Sequence, residues 1–67
     1  MMDICVNNEP RRMPEGSSLQ DLADAMGLAG KRYAIELNGE VVPKARHPQT
    51  PLQNGDCLEV VVAVGGG

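Results

Sequence analysis

Residues 33–42 read Tyr33-Ala34-Ile35-Glu36-Leu37-Asn38-Gly39-Glu40-Val41-Val42, and their pattern predicts a β-hairpin. Tyr33 to Leu37 alternates apolar and polar residues, the period of a strand with one buried face. Asn38-Gly39 supplies the two residues of positive φ that a two-residue hairpin turn demands. Glu40-Val41-Val42 returns, and Pro43, which has no N–H to donate to a ladder, ends the strand.

Upstream of this hairpin the chain predicts a helix and, before it, a second hairpin. Leu19, Leu22, Ala23 and Met26 fall at i, i+3, i+4 and i+7, a single apolar stripe. Ser17 with Gln20, or Ser18 with Asp21, has the spacing of a capping box, and Gly27 supplies the stop. About three turns of helix are marginal alone, so tertiary packing must hold them. Farther back, Met2 to Val6 alternates with Ile4 and Val6 on one face. Asn7-Asn8 tolerates positive φ, and Glu9 to Met13 returns as a strand that Pro10 confines to an edge.

Downstream, Lys44 to Pro51 (KARHPQTP) has two prolines and no period, and is expected to be a surface connection with at most a helical turn. Leu52 is the expected anchor after it, and Asn54-Gly55-Asp56 a second turn. Cys57 to Val64 is then the last strand, with Leu58, Val60, Val62 and Val64 facing the core and Cys57, Glu59, Val61 and Ala63 facing out. So apolar a run suits a central strand flanked by neighbours, and equally an outward patch that docks a partner. The element order is ββαββ plus a terminal strand. It predicts one α+β domain over residues 1–64, with a helix across one face of a small sheet.

The totals narrow the function. At 67 residues, with no Phe or Trp and only Tyr33 aromatic, the core must be aliphatic, which is poor material for a deep ligand pocket. Nine acidic against six basic side chains give a net charge of −3, contrary to the basic patch of a nucleic-acid binder. The pairs Arg11-Arg12 and Lys31-Arg32 read as solvated turn residues. No stretch approaches the ~20 apolar residues of a membrane span. The N-terminus has no secretory pattern, and Cys5 and Cys57 are too few for a disulfide scaffold, so a reducing cytoplasm is the expected setting. The two cysteines are expected to be small strand residues on neighbouring strands. With His47 they make three potential metal ligands without zinc spacing, so no metal is expected.

The chain ends in Gly65, Gly66 and Gly67. Three residues without side chains predict a flexible thread reaching on the order of 10 Å, at about 3.3–3.6 Å per residue. Such a thread enters a pocket of backbone width while the globule stays outside, on a docking surface at the tail's root. Val61, Ala63 and Val64 are the candidate docking residues. The α-carboxyl of Gly67 is ionised at neutral pH, since such groups titrate near ~3.3–3.7, and a carboxylate must be activated before it can react as an acyl group. The sequence offers no phosphate loop with Lys and no Ser-His-Asp set, and its one histidine, His47, sits between prolines. No catalytic residue is expected in this chain; any chemistry at the tail is performed on it by another protein. Plain disorder of a chain end is the alternative.

Taken together, ICVNNEP, SSLQDLA, AIELNGEVVPK, TPLQNGDCLEVV and the terminal GG resemble the ThiS family, the sulfur-carrier proteins of thiamine biosynthesis. The resemblance covers essentially the whole chain. It implies a ubiquitin-like β-grasp and a carrier that is not itself an enzyme and binds no cofactor. It further implies an E1-like adenylyltransferase of ThiF type, which uses ATP to adenylate Gly67, and a cysteine-desulfurase persulfide as sulfur donor. Thiazole synthase of ThiG type, a TIM-barrel partner, then takes sulfur from the thiocarboxylate. Gly67 is the residue modified and Gly66 its required neighbour, while Gly65 lengthens the thread. His47 stands where many relatives have Trp and is expected to be a surface residue. A molybdopterin synthase small subunit, a carrier for cysteine synthesis, a protein modifier joined to lysines, and an interaction domain with an inert tail remain alternatives.

Overall fold

The computed structural model describes residues 1–63, so Val64 and the three glycines, with the strand end and thread expected there, lie outside the described residues. The decisive hairpin forms as predicted: β3 (Tyr33–Leu37) and β4 (Glu40–Val42) pair antiparallel with Leu37 opposite Glu40. Asn38 and Gly39 both take positive φ, 51° and 86°, the left-handed geometry whose twist matches the strands it joins. The first hairpin, β1 (Met2–Val6) and β2 (Glu9–Met13), turns on Asn7 and Asn8 at φ 52° and 66°. Arg11 and Arg12 lie within β2 rather than in a turn.

The last strand, β5 (Cys57–Val62), joins the two hairpins into one sheet of order β2-β1-β5-β3-β4. It runs parallel to β1 and antiparallel to β3, so both of its edges are paired. β2 with its Pro10 sits at an edge as expected, and β5 is central, though only one of its faces lies beneath the helix. Two asparagine side chains extend the ladders. Val60 N–H donates to Asn7 Oδ1 at 2.8 Å, and Cys57 N–H donates to Asn38 Oδ1 at 2.9 Å.

One face of the sheet carries the core. Met2, Ile4, Val6, Met13, Ile35, Leu58 and Val60 meet Leu19, Leu22 and Ala23 of α1 (Leu19–Ala25), with Leu28 and Leu52 closing the ends. Of the two possible caps, Ser18 is the one used: its hydroxyl accepts from Asp21 N–H while Asp21 accepts from Ser18 N–H. Leu19 N–H donates to the Thr50 carbonyl and Leu52 N–H to the Ser17 carbonyl, tying the long connection to the helix start. Val62, expected in the core, is 37% exposed. A helix of 7 residues spans roughly 10 Å and a strand of 6 about 20 Å, so β5 outruns its cover.

The connection holds a larger departure. Lys44–Gln49 forms a 3₁₀ helix, and His47, expected at the surface, is 1% exposed. His47 Nε2 lies 3.0 Å from the Val42 carbonyl, which can only accept, so Nε2 carries the ring proton. Nδ1 has no partner. The imidazole lies 5.8 Å from the Tyr33 ring, filling the space between the end of β4 and the start of β3. Among the described residues no helix is long and apolar enough to cross a membrane.

Candidate functional site

The helix covers one face of the sheet and leaves the other open. The registers fix which residues share that open face, because directly paired residues point the same way. Val61 lies opposite Ala34, Glu59 opposite Glu36, and Glu36 in turn opposite Val41. On the parallel side Cys57 is the partner of Cys5. From β4 to β1 the face therefore runs apolar, acidic and thiol-bearing, with Val41 and Val61 64% and 65% exposed. These two valines stand on the strands either side of β3, with Ala34 and Glu36 between them, and form an exposed patch that the fold itself does not bury.

Part of the patch borders a hollow where β5 ends. Arg32, Tyr33, Ala34, Val61 and Ala63 line an open hollow of about 270 Å³. Ala63 N–H donates to the Arg32 carbonyl at 2.9 Å, carrying the β5–β3 ladder one residue past the strand's end. The root of the tail is thus anchored on β3 before the chain reaches its last four residues. Arg32 is the basic residue of this hollow; on the helix side of β3, Lys44 Nζ sits 4.2 Å from the Tyr33 ring centroid and donates to the Lys31 carbonyl at 3.2 Å.

Two of the three predicted docking residues, Val61 and Ala63, are brought together in this hollow, and both are exposed. Val64, Gly65, Gly66 and Gly67 lie outside the described residues. Sequence reasoning missed Ala34, Val41 and Arg32. The alternation of β3 held part of the signal, since Ala34 is out of phase with Ile35, but which strand it faces depends on a pairing between distant segments. Cys5 and Cys57 lie on neighbouring strands as expected, both as free thiols. Among the described residues no three His, Cys, Asp or Glu side chains converge as metal ligands.

The sequence and the fold are shared with known proteins. Residues 4–67 match the model of the ThiS family. The chain belongs to the ThiS family. It is 38% identical over 64 residues to the sulfur carrier protein ThiS of Thermus thermophilus, covering 96% of this chain and 98% of that protein. A crystal structure of the thiamine biosynthesis protein ThiS from Geobacter metallireducens superposes with a TM-score of 0.81 at 30% identity, over 98% of this chain and all of that one. The fold is accordingly the ubiquitin-like β-grasp of the ThiS family, as the sequence resemblance implied.

Two further relatives are larger proteins. The chain is 33% identical over 66 residues to a thiazole synthase of Paramagnetospirillum magneticum, and 36% identical over 66 residues to one of Magnetococcus marinus. In each case it spans 98% of its own length but 20% of the relative's.

Proposed function

We propose that this protein is a sulfur carrier for thiazole formation in thiamine biosynthesis, and that the reacting group is the α-carboxylate of Gly67. The observation that carries the reading is the end of β5: a strand paired with β3 as far as Val62, anchored beyond it through Ala63, and flanked by an exposed apolar hollow. That arrangement suits a protein cosubstrate, with residues 1–64 as the docking globule and 65–67 as the thread presented to a partner's active site. Membership of the ThiS family supports the sulfur chemistry.

In this reading an E1-like enzyme joins the Gly67 carboxylate to AMP, releasing pyrophosphate from ATP. A persulfide sulfur displaces AMP, and a second thiol breaks the S–S bond to leave the thiocarboxylate. The carrier contributes no catalytic group and binds no cofactor; ATP and sulfur donor belong to its partners in a reducing cytoplasm. Thiazole synthase is the proposed acceptor. Proteins of that name contain a segment similar to this chain, which favours the thiamine branch over molybdopterin or cysteine synthesis.

The test is ATP–pyrophosphate exchange by the activating enzyme with the intact chain and with a chain lacking Gly67. Exchange that depends on the intact chain and disappears on deletion, with the unfolding midpoint unchanged, supports the reading. Equal exchange by the two chains would contradict it.

A further inference from the structure

We propose that Cys5 and Cys57 form a redox-active dithiol that closes to a disulfide by exchange with small disulfides. The two residues are direct partners in the parallel pairing of β1 with β5, so both side chains stand on the open face. Neighbouring strands lie about 4.7–4.9 Å apart, within the Cα separation of about 4.4–6.8 Å that disulfides bridge. Both backbones are pinned on either side of the pair. Cys5 N–H donates to the Asp56 carbonyl and Asn7 N–H to the Leu58 carbonyl, each at 2.9 Å. Asn38 holds Cys57 from the other strand, accepting its N–H at 2.9 Å and donating to its carbonyl at 2.8 Å. The thiols are therefore kept at high mutual concentration by the sheet itself.

Their unequal exposure assigns the roles. Cys57 is exposed and Cys5 half-buried, and they share a hollow of about 260 Å³ with Asn8, Asn38, Glu36 and Glu59. The Cys57 thiolate attacks one sulfur of a small disulfide, forming a mixed disulfide and releasing one thiolate. The Cys5 thiolate then attacks the Cys57 sulfur and expels the second. Two protein thiols are oxidised, the small disulfide is reduced to two thiols, and the two protons end on those thiols. An open-face disulfide is accessible to the reverse exchange, which makes the pair reversible rather than a permanent staple. Cys57 opens β5 and the tail leaves its other end, so oxidation alters the open face about 20 Å from the tail's root at Ala63, at about 3.3 Å per residue. The proposal is independent of the sulfur-carrier reading.

The experiment treats the reduced full-length protein with hydroxyethyl disulfide, chosen because it is uncharged and Glu36 and Glu59 border the hollow. Samples are quenched with an alkylating agent and weighed intact, in native buffer and in denaturing urea. Native protein should lose two hydrogens, take up no alkyl group and retain no hydroxyethylthio group. Ring closure should be favoured at least about tenfold over the unfolded chain, as a raised effective concentration requires. Cys5→Ser should trap the mixed disulfide on Cys57, whereas Cys57→Ser should slow capture at Cys5. Wild-type protein that stops at mixed disulfides, links into dimers through Cys57, or closes no faster folded than unfolded would overturn the proposal.

Discussion

The two faces of β5 both carry valine, yet they meet different surroundings. Leu58 and Val60 are 2% and 7% exposed beneath the helix, while Val61, their immediate neighbour, is 65% exposed on the other side. Burial accounts for the first pair, since transfer of such side chains from water stabilises by about 1.5–3 kcal/mol each. It does not account for the second. In the proposed reading, half of the strand's apolar run holds the fold together and the other half meets a partner. The comparison predicts that substitutions on the helix side act on stability, and those on the open side act on binding.

Four substitutions test that division, in falling order of their effect on stability. Ile35→Ala removes a fully buried side chain at the centre of the core and should cost about 2–5 kcal/mol. A domain of this size has roughly 3–10 kcal/mol in total at about 0.05–0.15 per residue, so urea titration should show a midpoint lowered by roughly half. His47→Ala leaves the Val42 carbonyl without its donor and should cost about 1–3 kcal/mol, read as a lower urea midpoint. An unchanged midpoint would mean the imidazole is not structural. Ser18→Ala breaks the capping box and should cost about 1 kcal/mol, with α1 amides losing hydrogen-exchange protection first. Val61→Lys should move the midpoint least, by about 0.5 kcal/mol or less, because the side chain is mostly in solvent. The same change should weaken affinity for the activating enzyme or thiazole synthase by at least about tenfold, or 1.4 kcal/mol. Calorimetric titration giving wild-type affinity would remove Val61 from the docking surface.

Much of this fold was legible because its punctuation is local. Asn38-Gly39, Asn7-Asn8 and Gly27 state their own geometry, all at positive φ, and Ser18 with Asp21 states the helix start. Edge and centre were legible too, from Pro10 in β2 and the apolar run of β5. What escaped was set by distant segments. His47 lies in an aperiodic stretch, and its burial follows from where the 3₁₀ helix falls against the end of β4, which no repeat announces. Val62 obeys the alternation and is still exposed, because alternation gives a face but not the length of the helix covering it. Of the candidate site, Val61 and Ala63 were legible as outward residues. Ala34 and Val41 required the register between β3, β4 and β5. The twinned position of Cys5 and Cys57 also needed a pairing across more than fifty residues, as their numbers show.

The central claim concerns one group, the carboxylate of Gly67, and mass spectrometry addresses it most directly. The protein is incubated with its activating enzyme, ATP and a persulfide donor, and the intact chain and its C-terminal peptide are weighed. The account predicts a gain equal to one oxygen exchanged for sulfur, confined to the peptide ending in Gly67 and absent when ATP is withheld. An unchanged mass, or a sulfur found on Cys5 or Cys57 instead of the terminus, would contradict it.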